Sequence, residues 1–148
     1  MEAQMNTRYT LTEANELLKL VKVIAAEMLE RRTERRRLAQ RREQLEAADT
    51  PEGLRSELAE LDARIWEHDE ALATCSHEFE DLGLTVLRPI PLTIHIPGRS
   101  LPTRSGSGAT QSHEVVFCWQ EGEDAVCFGH PLGEEQHPRR PLRVAKRV

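Results

Sequence analysis

Two runs of side chains, spaced alternately three and four apart on either side of a break near residue 50, constrain this chain more than any other feature. On the C-terminal side Leu54, Leu58, Leu61, Ile65, His68, Leu72, Cys75, Phe79 and Leu82 keep the spacing without a slip. On the N-terminal side Leu17, Val21, Ile24, Met28, Arg31, Arg35, Leu38, Arg42 and Leu45 keep it too. A repeat of 3.5 residues held over about four heptads is the pattern of a seam between packed helices. Folding the chain back at residues 48–50 places Leu45 on Leu54, Leu38 on Leu61, Met28 on Leu72, Ile24 on Cys75, Val21 on Phe79 and Leu17 on Leu82. The two seams agree in register, so the spacing predicts a long antiparallel, coiled-coil-like helical hairpin.

The ends of the helices are marked as clearly. Thr10-Leu11-Thr12-Glu13 is a capping box, in which the Thr10 hydroxyl and the Glu13 carboxylate each accept the other residue's backbone N–H. Thr50 is a natural N-cap, with Pro51 at the first helical position where a missing N–H costs nothing. Gly83, just past Leu82, suits the left-handed residue that stops a helix. Charged residues make up 30% of the chain and aromatic residues 4%, which fits solvent-washed helices better than a thick globular core.

The seam is interrupted by charge. The register sets Arg31 against His68, Arg35 against Ile65 and Arg42 against Leu58, and a guanidinium buried without a partner costs several kcal/mol. These arginines are expected to reach Glu57, Asp62, Glu67 or Asp69 on the second helix, or to be covered by another chain. Residues 31–42 hold seven Arg and one Glu, whereas residues 52–81 hold ten acids and two Arg, so mutual neutralisation is the simplest reading. Nucleic-acid binding is not favoured, because the arginine run lacks interleaved aromatics and adjoins an acidic helix. Arg31, Arg35, Arg42, His68 and Trp119 are the candidate interaction residues. A second apolar stripe, Leu11, Ala14, Leu18, Ala25 and Leu29, needs cover from the C-terminal part or from a second subunit.

After Gly83 the pattern turns to short β-rich runs. Residues 84–87 and 92–96 are cut by Pro89, Pro91 and Pro97, which predicts edge strands or extended loops. Residues 98–112, rich in Gly, Ser and Thr, are expected to form a mobile loop. Residues 113–119 and 125–130 flank Glu121-Gly122-Glu123-Asp124, a hairpin signal. With a four-residue loop Cys118 faces Cys127, Trp119 faces Val126 and Phe117 faces Phe128. Val115, Phe117, Trp119, Val126, Phe128 and His130 would then share the face laid against the helices. The expected fold class is α+β, mainly α. Residues 1–83 form the hairpin, and residues 84–148 form a small β-containing unit packed on its base and ending in an irregular basic arm.

These signals, in this order, resemble an uncharacterised family called domain of unknown function 2203. The likeness rests on Tyr9-Thr10-Leu11, Ala14-Asn15 and Leu17-Leu18 at the start. It rests equally on Cys118-Trp119-Gln120-Glu121-Gly122-Glu123, Phe128-Gly129-His130 and Arg139-Arg140-Pro141-Leu142 near the end. It covers nearly the whole chain. Gly129 stands where the resemblance implies a Trp, and residues 133–138 replace a Gly-aromatic-Ala-Gly stretch. The resemblance implies a fold and no activity.

The most chemical grouping is Cys118 and Cys127, with His130, His137, His113 and His95 within reach in sequence. Zinc favours tetrahedral thiolate and imidazole donors, so a site of Cys118, Cys127, His130 and His137 is one reading. The assumed strand parity opposes it, placing His130 on the other face from the cysteines, and buried cysteines commonly serve as small apolar side chains. No nucleophile elbow, phosphate loop, dinucleotide fingerprint or H-E-x-x-H sequence appears, so the reading leans away from an enzyme. Three cysteines without C-x-x-C spacing, no leader-like start and no apolar run of about 20 residues predict a cytoplasmic protein without a membrane partner. The leading functional expectation is an interaction or structural protein that forms a homodimer or binds a protein partner and needs no cofactor. A zinc-binding module is the alternative.

Overall fold

A computed structural model describes residues 8–48, 54–99, 103–104, 110–111, 114–131, 135 and 138–142. Helix α1 runs Leu11–Ala47 and helix α2 runs Leu54–Asp81. Among the described residues the strands are β1 (Thr85–Pro89), β2 (Leu92–Arg99), β3 (Thr103–Arg104), β4 (Thr110–Gln111), β5 (Glu114–Gln120), β6 (Phe128–Pro131) and β7 (Arg140–Pro141). The chain is a pair of long packed helices followed by a five-stranded antiparallel sheet of order β1-β2-β5-β6-β7. It divides into two compact units, Met1–Lys22 with Phe79–Val148, and Val23–Glu78.

The helix ends follow the sequence. Glu13 N donates to Thr10 Oγ1 at 3.1 Å and Thr10 N donates to Glu13 Oε1 at 2.9 Å, closing the capping box. At the far end of α2, Gly83 has φ +79°. Gly83 N donates to Glu80 O and Leu84 N to Phe79 O, both at 2.9 Å, the paired bonds of a Schellman stop. The Thr50-Pro51 start expected for α2 lies outside the described residues.

Within the unit Val23–Glu78, Ile24, Leu38, Leu61 and Cys75 are buried, as the seam register requires. Arg31 meets His68, its Nη1 lying 3.4 Å from Nδ1. The arginines are only half-buried and turn sideways to acids. Arg35 pairs with Asp69, Arg42 with Asp62 and with Glu46 of its own helix, and Arg31 with Glu27. The guanidinium heads keep contact with water and are paired with acids, which removes the cost of burying them alone.

In the other unit the sheet departs from expectation in three ways. First, β2 is an interior strand, paired with β1 through residues 92–95 and with β5 through residues 93–99. Pro97 is tolerated because its carbonyl accepts from Tyr9 N at 2.9 Å. N and C=O of one strand residue point the same way, so the missing N–H faces Tyr9 rather than the β2–β5 ladder. Second, the register of β5 on β6 is shifted by one residue. Val116 faces His130, Phe117 faces Gly129, and Cys118 faces Phe128 rather than Cys127. The connection is longer than four residues because its last part is tied to α1. Lys22 Nζ donates to Asp124 O at 2.7 Å, and Val126 N donates to Asn15 Oδ1 at 2.8 Å. Third, the C-terminal arm contributes β7, which pairs with β6. Of the stretch expected as a mobile loop, the described residues supply the end of β2 and the pair β3–β4; the rest lies outside them.

The pleat then sorts the side chains. Ile94, Ile96, Phe117 and Trp119 share one face and are buried to 3% exposure or less. Thr93, His95, Val116, Cys118, Gln120, Phe128 and His130 share the other. Phe128 and His130 therefore leave the aromatic face on which the sequence reading placed them.

Candidate metal centre

Three adjacent strands each bring one donor to the second face. The β2–β5 register sets His95 beside Cys118, and the β5–β6 register sets His130 one pleat along. One ligand atom from each of His95, Cys118 and His130 lies within 4.8 Å of the other two. All three are buried, at 7%, 2% and 5% exposure. The His95 and His130 rings are tilted by 55° with centroids 5.1 Å apart. Among the described residues His95 Nε2 is buried without a hydrogen-bond partner.

The electrostatics suit a neutral His95 imidazole and a thiol that needs a positive charge to ionise. Burial pushes His95 below its ordinary pKa and neighbouring His130 adds to this, while Glu135 pulls weakly the other way. Burial pushes the Cys118 thiol up, and the charge and hydrogen bond of Arg139 offset only part of that. Arg139 is held in turn by Glu123, with Nη2 2.6 Å from Oε2 and Nη1 2.8 Å from Oε1. Its guanidinium lies 4.1 Å from the Phe128 ring centroid, a cation–π contact.

A pocket of about 750 Å³ opens beside the cluster. Cys118 and His130 line it together with Thr93, Gln120, Arg88 and Glu135, among others. Arg88 reaches this face through a β-bulge. Val86 pairs with Ile94, but Arg88, not Leu87, pairs with Thr93. The extra residue moves Arg88 onto the His95 side of the sheet.

The candidates named from sequence are thus redistributed. Cys118 and His130 come together, and His95 completes the group. Cys127 is exposed and is not part of the group. His137 and His113 lie outside the described residues. Trp119 is a core residue whose Nε1 donates to Glu123 O at 2.9 Å. Arg31, Arg35, Arg42 and His68 lie in the helical seam, paired as described above. His95, named within reach of the cysteines, stands in the group in place of Cys127. The alternation Thr93-Ile94-His95-Ile96 was the available signal, since it places His95 opposite two apolar neighbours in a half-buried strand.

The fold and this cluster define a mainly helical α+β protein with a buried His-Cys-His group on one face of an antiparallel sheet. A sequence profile described as "Uncharacterized conserved protein (DUF2203)" matches residues 8–142, and the chain belongs to that family. Searches of curated proteins and of solved structures found no match. Among the described residues no helix is long and apolar enough to cross a membrane.

Proposed function

We propose that this chain is a metal-binding protein that holds one divalent transition ion, zinc foremost, through His95, Cys118 and His130. One observation carries the reading: three donors from three neighbouring strands converge, buried, within 4.8 Å of one another. Bonds of about 2.0–2.3 Å in tetrahedral zinc sites set the donors about 3.3–3.8 Å apart, within reach by side-chain adjustment from the separations here. Two imidazoles and a thiolate match the preference of zinc for nitrogen and sulfur. A metal would satisfy the buried His95 Nε2, which otherwise costs about 1–3 kcal/mol. It would also supply the charge that ionises Cys118.

Native mass spectrometry of untagged protein loaded with Zn2+ tests this. The expected result is one ion per chain, lost in Cys118→Ser and His95→Ala and kept in Cys127→Ser. Absence of metal, or binding indifferent to Cys118→Ser, would overturn it.

A second reading, that the helical pair associates with another copy or another protein, draws support from Trp66 on α2 and Val23 on α1. They are 62% and 67% exposed. The same spectrum tests it: a dimer weakened by Trp66→Ser favours it, and a monomer at high concentration counts against association with a second copy.

A further inference from the structure

We propose that the metal position facing the pocket stays open to exchange and takes a small oxyanion, a carboxylate or phosphate group, which pairs with Arg88. This rests on the metal reading above and adds the class of ligand. The three donors are fixed by three strands, so they occupy one side of a four-coordinate ion, and no fourth donor joins them among the described residues. Two of them, Cys118 and His130, line the wall of the pocket. Its volume of about 750 Å³ is in the range that holds a small ligand. Three protein ligands plus an exchangeable position is the arrangement that lets zinc bind small molecules, whereas four protein ligands close the site.

The charge balance selects the ligand. A divalent ion with one thiolate keeps a net positive charge. Arg139, which also lines the pocket, is already neutralised by Glu123. Arg88 forms no ion pair among the described residues, and the β-bulge at Leu87 exists on the strand that delivers it to this wall. Bulges are a common device for re-aiming a side chain beside a site. Among the described residues Glu135 is the acid in the pocket lining, and of these it is the one that would close the metal as a fourth ligand if the position were not open. Thr93 is not a competing anion donor, because its hydroxyl donates to Pro91 O at 2.9 Å. Oxyanions suit both partners. One oxygen replaces water on the metal, and a second accepts from the guanidinium.

The experiment uses the full chain loaded with Co2+, whose visible spectrum reports coordination, with acetate and inorganic phosphate as probes. The expected result is a saturable change in the d–d bands with at least one probe. Arg88→Gln should weaken that binding about tenfold, the loss of one charge-assisted hydrogen bond, while Co2+ affinity stays within about twofold. The tighter probe identifies the source class, carboxylate or phosphate. A thiolate-to-cobalt band with a spectrum indifferent to both anions overturns the open position and leaves the metal reading standing. Anion response appearing only in Glu135→Gln assigns the fourth position to Glu135 and also overturns it. Equal anion affinity in wild type and Arg88→Gln overturns the role of Arg88. Failure of Co2+ to give the thiolate band removes the metal reading and this inference together.

Discussion

Asn15 Oδ1 accepts the backbone N–H of Val126 at 2.8 Å, joining positions 111 apart in the chain. Asn15 belongs to the N-terminal stretch on which the resemblance rests, and the structure gives it a use: it satisfies a donor on a residue that is only 3% exposed. In Asn15→Ala that N–H loses its partner, and we expect a stability loss of about 1–3 kcal/mol in chemical denaturation. Asn15→Asp keeps an acceptor and should recover most of the loss. Equal stability of all three proteins would show the bond to be dispensable.

Gly98 lies against the Phe117 ring so closely that a Cβ would sit 2.4 Å from Cε2. Gly98→Ala should cost about 1–3 kcal/mol through overpacking. Combining it with Phe117→Leu, which makes room, should give a loss smaller than the sum of the two single changes. Thermal melts of the four proteins measure the coupling, and strict additivity would contradict the contact.

Burial alone would push the Glu123 carboxyl up. Its bonds to Arg139 and to the Gln120 backbone N–H more than offset this and hold it below the usual carboxylate value. A carboxyl whose folded pKa is depressed adds stability above its unfolded pKa of about 4.3, and that stability is lost as pH falls through the folded value. Acid unfolding followed by circular dichroism should therefore steepen below about pH 4.3 in the wild type. In Glu123→Gln the protein should be weaker at neutral pH and lose less on acidification. A variant with an unchanged acid limb would show that another carboxylate dominates.

The helical pair should answer to its apolar seam far more than to its ion pairs. Leu38 is 1% exposed, and Leu38→Ala is expected to cost about 2–5 kcal/mol. Arg42 bonds Asp62 and Glu46 with its side chain one-third exposed, and Arg42→Ala should cost far less than the leucine change, as solvent-screened ion pairs do. Denaturant midpoints at low and high salt separate the two, since only the arginine effect is screened.

Of the three thiols, Cys127 is exposed whereas Cys75 and Cys118 are buried, and burial pushes both buried thiols up in pKa. Brief alkylation of the metal-free native protein, read by mass, should label Cys127 alone. Early labelling of Cys118 would contradict the strand register.

The helices were legible because their information is local and repeated. Heptad spacing, the Thr10–Glu13 box and the Gly83 stop each rest on residues a few positions apart, and errors in one would have shown against the others. The sheet was less legible because its register depends on contacts from far away in sequence. Nothing within residues 120–128 says that Val126 bonds Asn15 or that Asp124 meets Lys22, yet those contacts draw residues 125–127 out of the strand. The one-residue error that followed put His130 on the wrong face and Cys127 opposite Cys118. His95 stayed outside the four-residue site as well, because the true neighbour of Cys118 on its other side is in β2, where Pro89, Pro91 and Pro97 predict only edge strands or extended loops.

Side chains on a strand alternate in facing, so the count of residues between Gln120 and Phe128 decides which way β6 presents itself. One residue more or fewer there, with the Asn15 and Lys22 tethers kept, would turn His130 toward Phe117 and bring Gly129 to the side of His95. Gly129 has no donor, and a Cβ there would stand 2.9 Å from Val116 O in the present packing. The connection thus works as a spacer of fixed length for the histidine beyond it. Relatives that alter its length by an odd number must restore the parity elsewhere or give up the third donor.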